Sequence, residues 1–408
     1  MKLNSLINIF LRGLTIGSRF LLTFIIAQYI SIEELGTYSL VNTSIILGVI
    51  LVGFDFYMFA NRVILKDKKN LNEILFNQFL FYIFIYFIIL ISMLFIHALL
   101  HWDLKILILF TVLLFIEHLS QELYRLFIIF GRPLTANFLL FSRSGMWGII
   151  AIIFLVFLEN ARNIEFVLYC WLIGSSLSLF LSFYLFSRIY RDFQILKLSS
   201  LNFDLIKKGI KASIPFFIST IFLKIIEFFD RFIINYFLGK EQLGIYTFFY
   251  NISNILPVFV FTSVGMFLYP KAVEYFANGK IKEYQTLIKR MYKLSILSMV
   301  SLAIFATIAM KVSLIIIKDS KLVDSEPLFY LMLIQMVFII FAQLSHYELY
   351  AQNKERKILF TTVISSVVSI FGNIILIPTI GINGATISGI LSFALLFGIR
   401  KKYSKLEY

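Results

Sequence analysis

One cysteine, four histidines and six prolines are spread through 408 residues, and 23 acidic side chains face 37 basic ones. Each scarcity excludes something. The lone Cys170 lies in an apolar stretch, so neither a disulfide framework nor a thiolate metal site is available, and redox chemistry is not expected. His97 and His101 flank a short loop beside Trp102 with no carboxylate or thiol cluster near, the pattern of an interfacial belt rather than of metal ligands. No phosphate-binding glycine loop, H-E-x-x-H pair or nucleophile elbow occurs, so the chain is not expected to be an enzyme or to drive its work by hydrolysing ATP. No cofactor and no metal are implied. Charged residues make up only 15% of the chain, against roughly a quarter in soluble domains, which excludes a water-soluble fold.

What the chain has instead is apolar length. Sixty per cent of residues are hydrophobic and the mean hydropathy is +0.90. A spanning helix needs about 20 apolar residues, and twelve such stretches are present: 6–30, 37–60, 74–99, 104–130, 136–158, 166–186, 213–238, 244–269, 291–317, 328–352, 358–378 and 382–399. The runs are long and lack the alternation of a membrane barrel strand, so the expected fold is all-α. The first stretch carries Arg12 and Arg19 and is too long and too polar for a cleaved signal, so it is expected to stay as the first helix.

The net charge of +14 is distributed asymmetrically rather than offered to nucleic acid. Twenty-six basic residues fall in segments on one side of the spans, including Arg62, Lys66, Lys68 and Lys69, then Arg188, Arg191, Lys197, Lys207, Lys208 and Lys211, and finally Arg400, Lys401, Lys402 and Lys405. Five fall on the other side: Lys105, Arg162, Lys240, Lys318 and Lys321. The positive-inside rule then puts both termini in the cytoplasm. The break between Arg188 and Ala212 separates six spans from six, predicting bundles at 1–190 and 213–408 joined by a linker at 191–212. Its amphipathic part, with Lys207, Lys208 and Lys211, is expected to lie against anionic lipid headgroups.

The halves echo each other. Glu34-Leu35-Gly36-Thr37-Tyr38 returns 208 residues later as Gln242-Leu243-Gly244-Ile245-Tyr246. Leu119-Ser120-Gln121-Glu122-Leu123-Tyr124 returns as Leu344-Ser345-His346-Tyr347-Glu348-Leu349-Tyr350 with one residue inserted. Internal repeats of this size in a membrane protein point to two bundles that move around a central substrate site, hence to a transporter. The repeated glycines, set between the first two helices of each half, suggest an outer hinge or gate at Gly36, Tyr38, Gly244 and Tyr246, with glycine permitting the tight turn.

Six basic residues fall inside spans: Arg12, Arg19, Arg143, Lys224, Arg231 and Lys311. Each costs about 2.5–3.5 kcal/mol at mid-bilayer unless it is paired, snorkelling or wet. Arg12 and Arg19 are seven residues apart and share one helix face. The seventh span carries Lys224, Glu227, Asp230 and Arg231, with Glu227 spaced to bridge both cations. Counting back 17 residues from Gly36 and Gly244 reaches Arg19 and Glu227, so the charged helices are equivalent. That equivalence favours a shared cavity over accidental ion pairs. Asp55 is placed to pair with Arg12 or Arg19, or to exchange protons in a dry site. His118, Glu122 and Arg125 share a face, with Glu122 and Arg125 expected to form a local pair. Glu117 and His346 fit either a polar cavity or a structural role, and Arg143 and Lys311 are read as snorkelling from span ends.

These residues carry a resemblance. Arg12 and Arg19, the run Ser31 to Tyr38, the run from Asp230-Arg231 through Leu238-Gly239-Lys240 to Gly244-Ile245-Tyr246, and Gly381-Ile382-Asn383-Gly384-Ala385-Thr386 resemble the Wzx-type O-antigen and polysaccharide flippases. These belong to the multidrug/oligosaccharidyl-lipid/polysaccharide exporter (MOP) superfamily. The resemblance implies a monomeric bundle that moves undecaprenyl-diphosphate-linked oligosaccharide across the bacterial inner membrane by alternating access, beside a polysaccharide polymerase and with a proton or sodium ion coupled. It implies Arg12, Arg19, Lys224 and Arg231 as substrate ligands, and Asp55, Glu227 and Asp230 are the candidate coupling or cavity carboxylates. A multidrug exporter of the same superfamily shares the architecture, but its cavity is expected to favour acids over arginines. A membrane polymerase, the enzymatic alternative, resembles chains with a large Arg-rich outer loop, which this sequence lacks.

Overall fold

The computed structural model describes residues 2–66, 71–100, 104–189 and 201–405. Lys68, Lys69, His101, Trp102, Arg191 and Lys197, residues 191–200 of the expected linker, and the side chains of Lys2 and His97 lie outside the described residues. Among those described there is no strand, and sixteen α-helices run in chain order. They are α1 (Lys2–Tyr29), α2 (Ile32–Gly53), α3 (Phe56–Lys66), α4 (Leu71–Leu100), α5 (Leu104–Ile129), α6 (Pro133–Phe141), α7 (Trp147–Phe157), α8 (Ile164–Ile189), α9 (Phe203–Ser253), α10 (Ile255–Val260), α11 (Met266–Ala277), α12 (Ile281–Ile317), α13 (Ser320–Asp324), α14 (Glu326–Ala351), α15 (Glu355–Ile380) and α16 (Ile382–Ser404).

Among the described residues, eleven apolar helical stretches are long enough to cross a membrane. One, Phe203–Ala277, runs 75 residues and holds two crossings, because Gly239 adopts φ +86° and breaks α9 where only a residue without a Cβ is comfortable. The twelve expected spans are therefore present. Backbone contacts group the chain into two compact units, residues 1–25 with 41–220, and residues 26–40 with 221–408.

In the first unit, Phe56, Ile64, Ile74, Phe127, Ala136 and Phe186 form a buried core. The second expected span, 37–60, does not run through. It ends at Gly53, and Phe54 and Asp55 take left-handed backbone (φ +48° and +49°) before α3 begins. Left-handed backbone at non-glycine residues costs about 1–2 kcal/mol each. Here Phe54 stacks on Phe217 at 4.2 Å and Asp55 accepts a hydrogen bond from Thr220 at 2.7 Å, which hold the break. The beginning of α9 also departs from expectation. Residues 203–212 continue directly into the seventh span, and Leu205, Ile206 and Ile210 pack on the protein core, while Gly209 lies against Phe56 and Phe59. The apolar face of this segment is thus satisfied by protein rather than lipid, and Lys207, Lys208 and Lys211 stay exposed.

The fifth span is α6 and α7 joined by a π-helical turn, Ser142–Met146. In the second unit α14, α15 and α16 pack through buried small polar residues, among them Thr361, Thr362, Ser365, Ser369, Ser388 and Ser392. Small side chains let helix backbones approach where lipid supplies no hydrophobic drive. Arg400, assigned by charge counting to a basic tail, is instead 3% exposed and donates to the Ala342 carbonyl (3.1 Å) and to Thr362 (2.9 Å).

Candidate functional site

In the first unit, α1 lies along the fifth span. Gly145, in the π-helical turn, lets it close in: a Cβ there would sit 3.1 Å from the Thr15 Cα. Thr15 and Ser18 turn toward this packing and are buried. Two polar rungs tie the helices together. Arg12 Nε donates to Asn137 Oδ1 at 3.2 Å, and Arg19 Nε donates to the Ser144 carbonyl at 3.3 Å. Both rungs join residues 125 apart, so the helices run parallel, in register over two turns. The π turn supplies the second rung, since a wider turn frees carbonyls from the regular helical ladder.

Each arginine uses only Nε in these contacts. Among the described residues neither has a carboxylate within ion-pair distance. Arg12 is half-buried and Arg19 is exposed, near the middle of the crossing segment Phe10–Tyr29. The terminal guanidinium nitrogens remain a fork suited to phosphate or carboxylate oxygens. Asp55 is not their counter-ion, since the break at residues 54–55 turns it toward Thr220.

Arg143 does not snorkel. It is buried, 3.4 Å from Glu117, and it donates to Gln121 Oε1 at 2.8 Å. Glu117 also accepts from Trp171 Nε1 (2.9 Å) and Ser175 Oγ (2.6 Å), so this carboxylate and its arginine bind α5, the π turn and α8 into one network. The expected local pair of Glu122 and Arg125 is present, with Gln78 donating to Glu122 at 2.8 Å and Arg125 stacked over Tyr57 at 3.5 Å. His118 bonds Tyr86 through Nδ1 at 2.6 Å.

In the second unit, the seventh-span charges divide into two groups. Lys224 and Glu227 pair at 2.5 Å and remain partly open, 25% and 29% exposed. Asp230 and Arg231 are enclosed: Asp230 accepts from its neighbour's backbone N–H and from the Tyr246 hydroxyl, while Arg231 donates to the Glu227 carbonyl at 2.8 Å. The Arg231 guanidinium lies over Phe228 and Tyr250, 4.7 and 4.6 Å from the ring centres. Glu227 therefore pairs through its carboxylate with Lys224 and not with Arg231, contrary to the bridge that spacing suggests. Lys311 reaches Glu326 (2.6 Å) from the end of its helix.

The repeated motif has a contact of its own. A Cβ on Gly36 would overlap the Lys240 carbonyl oxygen, and one on Gly244 would overlap the Ile32 carbonyl oxygen. Each glycine thus abuts the residue four positions before the other. Ser39 and Thr247, which are repeat equivalents, join by a 2.8 Å hydrogen bond. The motifs meet as equivalents across a local two-fold. Glu33 and Glu241, also equivalents, flank Lys321. Glu241 binds it at 2.6 Å and holds its ammonium above the ordinary lysine range by that hydrogen bond. Neither Gly36 nor Gly244 is in a turn or at positive φ, and the second-half turn residue is Gly239. Close helix contact, rather than turn formation, is what these glycines provide.

Spacing found Arg12, Arg19 and the seventh-span stripe but missed the Glu117–Arg143 network and the role of Asn137. An arginine seven residues into an apolar span, with a glutamate one span earlier, was the available signal.

Residues 2–276 match the family model described as polysaccharide biosynthesis protein, and residues 215–375 match the one described as MatE. No curated protein sequence matches the chain. Among solved structures, a multidrug resistance MATE family transporter of the MOP superfamily, in its inward-facing conformation, superposes with a TM-score of 0.74. It is 14% identical, over 96% of this chain and 94% of that one. The outward-facing conformation of such a transporter gives 0.65 at 14% identity, covering 98% and 94%. A MOP superfamily transporter from Pyrococcus furiosus, described as having a binding pocket of reverse polarity that suggests a different function, gives 0.58 at 13% identity, covering 98% and 94%. With one family model spanning well over half of its length, the chain belongs to the polysaccharide biosynthesis protein family, and its all-helical multi-pass fold is similar to that of the MOP superfamily transporters it superposes on.

Proposed function

We propose that the protein is a flippase that moves a lipid-linked oligosaccharide, carried on undecaprenyl diphosphate, across the bacterial inner membrane for surface polysaccharide such as O-antigen. One observation carries this reading: Arg12 and Arg19 stand in a crossing helix with terminal guanidinium nitrogens uncommitted and no carboxylate partner among the described residues. Charge left unneutralised in an apolar helix calls for a wet face, and there a diphosphate offers forked oxygens to each arginine. The match to the polysaccharide biosynthesis family covers this helix.

In this reading the protein works as a monomer with both termini cytoplasmic, as two bundles at 1–190 and 213–408 that alternate access. Lys224 is the second-half cation nearest to a ligand role, because Arg231 is already enclosed by Asp230 and two rings. Of the coupling carboxylates, Glu227 is the most open to a proton or sodium ion, while Asp55 and Asp230 hold hydrogen bonds to Thr220 and Tyr246. The close approach of the Gly36 and Gly244 helices, with Tyr38 and Tyr246 two residues further along each, acts as the outer gate.

A second reading, a multidrug exporter, is favoured by the MatE match over residues 215–375. Complementation separates the two. In a flippase-null strain the wild-type gene restores surface polysaccharide, and Arg19→Ala and Lys224→Ala variants inserted at normal levels do not. Full restoration by both variants overturns the assignment of Arg19 and Lys224 to the substrate site, and drug resistance without polysaccharide favours the exporter.

A further inference from the structure

The second echo, Glu122 and Glu348, marks a buried carboxylate in each unit, but their surroundings differ. Around Glu122 the cavity is about 140 Å³ and mostly apolar. Around Glu348 it is about 410 Å³ and lined by Lys289, Gln352, Lys401, Ser404 and Lys405. Glu348 cannot itself repel an anion strongly, because Tyr292 (2.7 Å), Ser404 (2.8 Å) and Lys401 (2.6 Å) already satisfy its oxygens. Lys401 is steadied over the Tyr292 ring at 4.5 Å. Lys289 and Lys405 are exposed and have no carboxylate partner among the described residues. The cavity therefore carries an excess of positive charge.

It also carries an unmet acceptor. Gln352 donates through Nε2 to the Tyr284 hydroxyl (3.2 Å) and to the Ser404 carbonyl (2.8 Å), yet its Oε1 is buried without a partner. A buried acceptor left unmade costs about 1–3 kcal/mol, so the site calls for a hydroxyl donor. Its depth identifies the source. The 37 residues of α12 make a rod of about 55 Å at 1.5 Å per residue, longer than the ~30 Å hydrocarbon layer. Its exposed apolar belt starts at Ile296 and Leu297 and continues through Val300, Ile304 and Phe305, whereas Lys289 and Arg290 are exposed just before it. The nearest α12 lining residue, Lys289, stands two helical turns before that belt, about 10 Å at 1.5 Å per residue, within reach of a headgroup whose chains enter the belt.

We infer that this cavity is a binding site for an anionic glycerophospholipid whose headgroup bears a free hydroxyl. The phosphate sits between Lys289 and Lys405 with Lys401 behind, and the headgroup hydroxyl donates to Gln352 Oε1. The acyl chains lie along the apolar belt of α12. This is a lipid site in one unit, separate from the helix-one arginines, and it does not depend on what the protein transports.

The test is native mass spectrometry of the detergent-purified full chain titrated with phosphatidylglycerol, phosphatidylmethanol or phosphatidylcholine. The two anionic lipids have the same charge, and only the first has a hydroxyl. Phosphatidylglycerol is expected to bind several-fold more tightly than phosphatidylmethanol and far more tightly than phosphatidylcholine. The Lys289→Gln/Lys405→Gln variant loses about thirtyfold in phosphatidylglycerol affinity, the strength expected of two basic groups at a lipid surface, and Lys289→Arg/Lys405→Arg restores it. Lys207→Gln/Lys208→Gln, which removes equal charge from the first unit, changes it less than twofold. Equal binding of phosphatidylcholine, or an equal loss in the Lys207/Lys208 variant, overturns the site. Equal binding of phosphatidylmethanol overturns the hydroxyl contact. Displacement of phosphatidylglycerol by equimolar glycerol phosphate or inorganic phosphate overturns the lipid as occupant.

Discussion

Arg143 and Arg19 are the same side chain in the same kind of helix with opposite surroundings. Arg143 meets Glu117 at 3.4 Å in a buried network, whereas Arg19 is exposed and makes one carbonyl contact. Removing one partner of a buried pair leaves the other charge stranded, at about 3–5 kcal/mol. Arg143→Ala is therefore expected to lower the thermal unfolding midpoint of the detergent-solubilised protein clearly, and Glu117→Gln/Arg143→Met to recover most of the loss. Arg19→Ala is expected to melt close to wild type, since only a 3.3 Å hydrogen bond is lost. Equal midpoints for Arg143→Ala and Arg19→Ala contradict this division of roles. The seven-residue spacing of Arg12 and Arg19 was enough to put them on one face. Nothing along the chain shows that Asn137 and Ser144 meet them with the same spacing, or that Asp55 turns to Thr220, because partners across helices follow from packing.

At the level of elements, the repeat was legible and its physical use was not. Glycine serves both tight turns and close backbone contact, and sequence alone does not separate them. The structure assigns the turn to Gly239 (φ +86°) and the contact to Gly36 and Gly244. A methyl group at either contact glycine forces the helices apart, since non-bonded carbons need about 3.5–4.0 Å. In a Cys170→Ser background, Ser39→Cys/Thr247→Cys is expected to form a disulfide readily, given the 2.8 Å hydroxyl separation. Adding Gly36→Ala is expected to cut the yield several-fold on non-reducing gels. An unchanged yield means the helices do not depend on glycine to meet. The start of α9 teaches a similar lesson: its lysines read as a membrane-surface segment, but Leu205, Ile206 and Ile210 had a protein core to cover.

For the whole molecule, twelve apolar runs carried most of the architecture, because length is a property of sequence that the bilayer reads directly, and the uneven basic charge adds an expected orientation. Orientation follows in a testable form. In the Cys170→Ser background, cysteines replacing exposed Lys208 and Lys357 are expected to react with a membrane-impermeant maleimide only after the cytoplasmic face is opened. Cysteines replacing Lys240 and Lys321 are expected to react in intact spheroplasts. Labelling of all four from one side contradicts the topology. Substrate chemistry rests on the uncommitted arginines of α1. Isothermal titration of the purified protein with farnesyl diphosphate, a soluble polyprenyl diphosphate, tests them most directly. Hydrogen bonds to charged groups contribute about 1.5–3 kcal/mol each, so Arg12→Ala and Arg19→Ala are each predicted to weaken binding by about tenfold or more, and raised salt to weaken it in the wild type. Equal affinity in the wild type and the Arg12→Ala/Arg19→Ala double variant contradicts the account.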